Sequence, residues 1–365
     1  MKRLSLGILQ FFVFIVVINI QGCVEDSVSN STEFDIINAA EFLYFLEEQG
    51  DFVNSEEAPG NILAEEVYSN LDNYLIIDIR TRDVYSLGHI PNSINLQPSH
   101  FIEYLQSIDT NSYEKIVLVS ISGQSAAYYC CLLRMYGFNN VYVLKYGMAS
   151  WHIDFAEIWL QAARTTDILD QFVNIDYPKG TVKPLPQVAV SNSTQTLQEK
   201  LRGRINSLIQ LDFVENDHFN IFTDLSITLD ELYQNYQPSD SSFPGFYIVC
   251  LGDDDIYIDH ARGRLWEDGH PPTTVLIRAV NPHWEMRSGK YLQTLPHDET
   301  IVVYCYDGHL SACFTAYLRI LGYNVKSMLF GYNTLYHNRM LRYPVLEEKA
   351  FTAARIGNYN YETGN

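Results

Sequence analysis

The chain has 365 residues, room for about two domains of roughly 150 residues each. Hydrophobic residues make up 47% and charged residues 19%, which supports a packed core and excludes global disorder, while 13 prolines and 20 glycines are too few for a fibrous chain. The formal charge of −20, from 24 Lys and Arg against 44 Asp and Glu, repels phosphate backbones, so no nucleic-acid partner is expected and any anionic substrate needs a locally built site.

The chain opens as an address. Lys2 and Arg3 precede an apolar stretch from Leu4 to Ile20, interrupted by Gly7, Gln10 and Asn19, which is short and broken for a membrane span. It ends in Ile20-Gln21-Gly22-Cys23, which resembles the lipobox of bacterial lipoproteins, with Gln21 departing from the small residue more usual there. That resemblance implies removal of residues 1–22, lipidation of Cys23, and a chain anchored by lipid at the bacterial cell envelope, on its periplasmic side or at the cell surface. Glu25 and Asp26 are similar to a surface-display signal in some bacterial lineages. Residues 24–34 read as a tether, and 35–49 (DIINAAEFLYFLEEQ) have apolar residues at helical spacing, predicting a helix packed on the first domain.

An internal repeat follows. The segment from Lys115 (KIVLVSISGQSAAYYCCLLRMYGFNNVYVLKYGMASW) matches that from Thr300 (TIVVYCYDGHLSACFTAYLRILGYNVKSMLFGYNTLY). At a constant offset Gly123 falls on Gly308, Arg134 on Arg319, Gly137 on Gly322 and Asn139 on Asn324; after a one-residue gap Gly147 falls on Gly331. Upstream, Gly88-His89-Ile90-Pro91 is mirrored by Gly269-His270-Pro271-Pro272. Each copy reads as a short β-branched strand (116–119, 301–304), a polar loop with a central glycine, a helix (126–136, 312–321) closed by a glycine, and another strand (141–144, 325–329). Residues 74–79 (YLIIDI) add a central strand. Such βαβ units make a parallel sheet whose functional edge lies where strands end and helices begin.

The site candidate is Cys305-Tyr306-Asp307-Gly308-His309-Leu310-Ser311. A cysteine between strand end and helix start meets free N–H groups and the positive helix end, which favour the thiolate, and Gly308 lets the loop curl into an anion nest. Ser120 stands in the place of Cys305 in the first copy, and no neighbouring His or Asp is placed to activate its hydroxyl, so that half reads as inactive; a small anion is the ligand its loop still suits.

Together, Ile77-Asp78-Ile79-Arg80, the Gly-His-Ile-Pro segment and the Cys-x-x-Gly-x-x-Ser loop resemble the rhodanese-like family over about residues 60–160 and 240–345. The resemblance implies an α/β fold of two tandem rhodanese-like domains, each a mainly parallel five-stranded sheet flanked by helices. It also implies a sulfurtransferase in which Cys305 takes sulfane sulfur from thiosulfate, a persulfide or a polysulfide and hands it to a thiol or cyanide. Residues 306–311 would bind that small sulfur-containing substrate, without cofactor or metal. Two departures bear on this: Leu310 stands where many family members place an arginine, and Asp307 adds a negative charge to the loop rim. His309 reads either as a donor at mildly acidic pH or as a solvated loop residue. The alternative is a non-catalytic rhodanese-like binding module at the envelope; the sequence indicates no particular protein partner. The loop is also shorter than that of the phosphatase relatives of this fold and lacks their closing arginine.

The organisation expected is a leader (1–22), a tether and N-terminal helix (23–59), a first domain (60–165), a linker (166–197), a second domain (198–350) and a tail (351–365). His89, His270 and the Asp78–Arg80 pair read as structural. Asp253-Asp254-Asp255 reads as a solvated turn in preference to a cation site, Cys130 and Cys131 as core, Cys250 as a strand end, and Cys313 as too far along its helix to bridge Cys305.

Overall fold

The aliphatic and β-branched runs found in the repeat form the central strands of two sheets. The computed structural model describes residues 34–166, 172–191, 195–215, 224–234, 245–257, 269–279 and 283–364; the leader, the lipobox with Cys23, and most of the polar stretch 233–243 lie outside them. The strands, in chain order, are β1 (Phe34–Asn38), β2 (Asn61–Ile62), β3 (Tyr74–Asp78), β4 (Ile94–Asn95), β5 (Lys115–Val119), β6 (Val141–Leu144), β7 (Gln187–Ser191), β8 (Ser226–Ile227), β9 (Phe246–Gly252), β10 (Val275–Arg278), β11 (Thr300–Tyr304) and β12 (Val325–Met328).

Two five-stranded sheets result, in the orders β2-β6-β5-β3-β4 and β8-β12-β11-β9-β10. Every pairing in both is parallel. The orders are the same once the halves are matched, so the repeat extends to the edge strands. The inner strand β3 is buried along its whole length, and the central strands β5 and β11 are buried apart from their first residues, as parallel strands covered by helices on both faces must be. The expected fold class is the observed one.

The helices that follow the two loops, Gln124–Tyr136 and His309–Ile320, begin two or three residues earlier than the apolar pattern suggests. Both are almost entirely buried, and residues from both belong to one apolar core with the helix Leu197–Ile209 and the N-terminal helix. Both sheets belong to one compact unit.

Three segments read otherwise from sequence. Residues 34–38 are strand, not helix; β1 pairs antiparallel with β7, which lies within the segment expected to be a bare linker. The helix that follows is Ala39–Glu48, and it braces both halves: Glu47 accepts hydrogen bonds from Ser288 N (2.8 Å) and Ser288 Oγ (2.5 Å). The tail turns back onto the first half, where Glu362 and His89 exchange backbone hydrogen bonds of 2.9 Å, and Trp151 Nε1 donates to Asn360 O at 2.9 Å. Among the described residues no helix is long and apolar enough to cross a membrane.

Candidate active site

Strand β11 delivers Cys305 to the point where the chain must turn into the next helix. Gly308 makes that turn at φ +84, a left-handed conformation that a side chain disfavours. The curl directs two backbone donors at the sulfur: Gly308 N lies 3.2 Å and Ser311 N 3.4 Å from Cys305 Sγ. The Ser311 hydroxyl is 3.7 Å from the sulfur and shares a 2.8 Å hydrogen bond with Ser327 Oγ on β12. Tyr306 is buried, with the Lys349 ammonium 4.0 Å above its ring. Leu310, in the arginine position, is a half-buried apolar side chain packed on the core. Of loop residues 306–311, Asp307, Gly308 and Ser311 come to the sulfur, while Tyr306 and Leu310 pack elsewhere.

Its electrostatics differ from the expectation. Asp307 is no rim residue: it is buried, accepts from His309 N at 3.2 Å, and lies 3.8 Å from Cys305 Sγ. Burial opposes its charge, but the His309 ring and backbone N–H, together with Lys145 Nζ at 3.8 Å, hold the carboxyl well below its usual range. Burial first, and the Asp307 charge second, push the Cys305 thiol up to about 11, outweighing the Ser311 and Asp307 backbone donors. Burial and the fixed anion therefore oppose the thiolate that the backbone N–H donors favour.

His309 is neither solvated nor aimed at the sulfur. Its ring is fully buried, with Nδ1 3.2 Å from Asp307 Oδ1 and Nε2 accepting the Tyr146 N–H at 3.1 Å. With Nε2 accepting, Nδ1 is the ring position left to carry a proton. The matching contact runs the other way: Gln124 Oε1, one residue past Gly123, accepts Phe330 N–H at 2.7 Å. Tyr146 and Phe330 occupy equivalent places, both at positive φ before a glycine. The two loops are therefore locked to each other's domain by a reciprocal pair of hydrogen bonds.

The first loop keeps the geometry and changes the contents. Gly123 turns at φ +88, and Gly123 N donates to Ser120 Oγ at 2.9 Å, as Gly308 N does to Cys305. Its cradle is filled by the carboxylate of Glu215. Ser120 Oγ and Ser125 N donate to Oε1 at 2.7 and 2.6 Å, and Ile121 N and Ser122 N to Oε2 at 3.0 and 3.1 Å. Tyr129 Oη, donating to Leu211 O at 2.8 Å, holds the incoming segment on the helix of the first half. Ser226 Oγ, donating to Val214 O at 2.7 Å, ties it to the second sheet.

Known proteins resemble this chain in sequence. The family description "Rhodanese-like domain" matches residues 63–154, the half that carries Ser120. YibN of Escherichia coli strain K12 is 32% identical over 83 residues, 22% of this chain and 58% of that protein. The thiosulfate sulfurtransferase GlpE of Shewanella oneidensis is 33% identical over 78 residues, 21% of this chain and 74% of that protein. The chain belongs to the rhodanese-like family. It spans 58% of the length of YibN, the first of these relatives. Among solved structures, SseA of Escherichia coli, described with the 3-mercaptopyruvate sulfotransferases, is 15% identical with a TM-score of 0.24, covering 73% of this chain and 96% of that one.

The remaining motif residues of this rhodanese-like chain hold the scaffold. Arg80 Nη2 lies 2.6 Å from Asp78 Oδ2 and donates to Gly88 O at 2.7 Å. His89 stacks on Tyr85 at 3.9 Å and His270 on Tyr257 at 4.0 Å, each bonded to nearby carbonyls. The acidic run is not a free turn, since Arg278 Nη2 pairs with Asp254 Oδ1 at 2.6 Å. Cys130, Cys131, Cys250 and Cys313 are buried free thiols. Two contributors escaped the sequence. Glu215 lies 95 residues from Ser120 in a stretch without pattern. Lys145 carried one faint signal: a cation at the end of a strand whose counterpart ends in Leu329.

Proposed function

We propose that this chain is a sulfurtransferase that carries sulfane sulfur as a persulfide on Cys305. The observation that supports this most directly is the convergence of Gly308 N and Ser311 N on Cys305 Sγ, at 3.2 and 3.4 Å. Those donors stabilise negative charge on a sulfur at that place, whether thiolate or terminal persulfide. The thiolate fraction of Cys305, its proton released to water, attacks the outer sulfur of thiosulfate. A Cys–S–S⁻ bond forms while the donor S–S bond breaks, its electron pair leaving on sulfite. A polysulfide gives up one sulfur in the same way and leaves one atom shorter. An acceptor thiolate then takes the outer sulfur and returns the Cys305 thiolate; cyanide does so as thiocyanate.

The cations beside the loop are Lys145, 3.8 Å from Asp307, and Lys349, over the Tyr306 ring; Leu310 adds none. Because Lys145 is already engaged with Asp307, we favour a less charged donor, polysulfide or persulfide, over the thiosulfate dianion. We also propose that the chain is held at the bacterial envelope by lipid on Cys23, supported by the sequence of residues 1–23; metabolic labelling with a fatty-acid analogue, lost in Cys23→Ser, tests it.

Intact mass of the purified protein after thiosulfate or polysulfide treatment, beside Cys305→Ser, tests the chemistry. The expected result is a Cys305-dependent gain of about 32 mass units, removed by cyanide. A folded protein that gains nothing from either donor favours a second reading, a non-catalytic binding module. That reading draws on the buried sulfur, 1% exposed, and its thiol pushed up to about 11.

A further inference from the structure

Three cysteines lie where the two halves of the chain meet. Cys130 and Cys131 are adjacent on the helix Gln124–Tyr136, and Cys313 is on the helix His309–Ile320. These helices pack against each other, and all three thiols are free, fully buried and part of one apolar core. Adjacent positions on a helix face different ways, and the two thiols of the first half do so. Cys130 Sγ donates to Val141 O at 3.3 Å, toward its own sheet. Cys131 lies within hydrogen-bonding reach of Cys313; burial first, and that neighbour second, push the Cys313 thiol well above its usual range. Neither member of this pair belongs to the repeat, since at the offset of the repeat Cys131 falls on Ala316 and Cys313 on Tyr128.

We propose that Cys131 and Cys313 are a disulfide site, which joins the two halves when the chain folds in the presence of a low-molecular-weight disulfide such as oxidised glutathione. The Cys131 thiolate attacks the oxidant, and one glutathione leaves as its thiolate. The Cys313 thiolate then attacks the Cys131 sulfur of the mixed disulfide; the Cys131–Cys313 bond forms and the second glutathione leaves. Two protein thiols are oxidised, one small disulfide is reduced, and the two departing thiolates take up the two protons. Because both thiols are 0% exposed once the halves are closed, the exchange belongs to the chain before closure, and the finished bond is shielded from reductant. The bond spans roughly 180 residues of sequence, so it removes much of the freedom of the unfolded chain. The site stands apart from Cys305 and does not depend on sulfur transfer there.

Refolding of the full chain from urea, with a mixture of oxidised and reduced glutathione or with reductant alone, is the test. The product of the mixture should be about 2 mass units lighter than the reduced chain, and fragmentation of the linked peptides should place the bond between Cys131 and Cys313. Cys130→Ala and Cys305→Ser should keep the link, and Cys131→Ala should lose it. The linked chain should unfold at a urea midpoint about 1 M or more above that of the reduced chain. A chain that refolds under the mixture without the link, a link to Cys130 or Cys305 in its place, or a linked chain with an unchanged midpoint overturns the proposal. If Cys131→Ala does not fold, the fragmentation of the wild-type link decides by itself.

Discussion

The loops at Ser120 and Cys305 leave equivalent strands, turn on glycines of nearly the same φ, and start helices of 13 and 12 residues. Their backbones offer similar N–H groups to whatever sits at the centre. In the first, the centre holds an oxygen and a carboxylate borrowed from Glu215; in the second it holds a sulfur with an acid, Asp307, folded into the loop beside it. Two donors that would favour a thiolate in an otherwise neutral loop are outweighed there by burial and by that acid. The difference teaches that two cradles of like backbone do not set the charge of their contents; the side chains do, one delivered from far along the chain and one carried by the loop itself.

Exchange of the central atoms probes this contrast most sharply. Ser120→Cys alone should gain no sulfur from polysulfide, because Glu215 occupies the cradle, whereas Ser120→Cys/Glu215→Ala should gain one atom at position 120 by mass mapping; a gain in the single variant breaks the comparison. Next in size are the turn glycines. A Cβ on Gly308 would run into the Gln124 carboxamide and one on Gly123 into the His309 ring, each on a left-handed backbone. Gly308→Ala and Gly123→Ala should therefore each cost about 3 kcal/mol in denaturant unfolding, and a markedly smaller cost at either would show that the loops do not press on each other.

The reciprocal lock is worth less. Gln124→Ala leaves the buried Phe330 N–H without its acceptor and should cost about 2 kcal/mol, with no change in the Cys305 mass adduct. Smallest is the effect of Asp307→Asn. In wild type, alkylation of Cys305 by iodoacetamide should climb with pH toward a plateau above about 11, since only the thiolate reacts. Removing the neighbouring negative charge lowers the thiol pKa, so Asp307→Asn should react about tenfold faster at pH 8, as for a one-unit shift. An unchanged rate would leave burial as the sole cause of the raised thiol.

Much of the architecture was legible before any coordinates. The strands at 74–79, 116–119 and 301–304 and the glycine-centred loops announced parallel βαβ units, because runs buried on both faces must be continuously apolar and tight strand–helix turns need a residue free to adopt positive φ. The strand at 34–38 was not legible: FDIIN alternates too briefly to be told from the helix it joins, and only its partner β7 decides it. His309 was misplaced for a related reason. A histidine on a polar loop looks solvated until a second domain closes over it.

The sequence by itself determined the repeat, the place of each loop at a strand end, and the division between a serine and a cysteine copy, since all three depend on residues close together in the chain. Tertiary structure alone decided what each loop holds. Glu215 reaches Ser120 across 95 residues, His309 reaches Tyr146 across 163, and Gln124 reaches Phe330 across 206. Contacts at such separation leave no local pattern, because they are fixed by the packing of the two halves and not by the period of any one element.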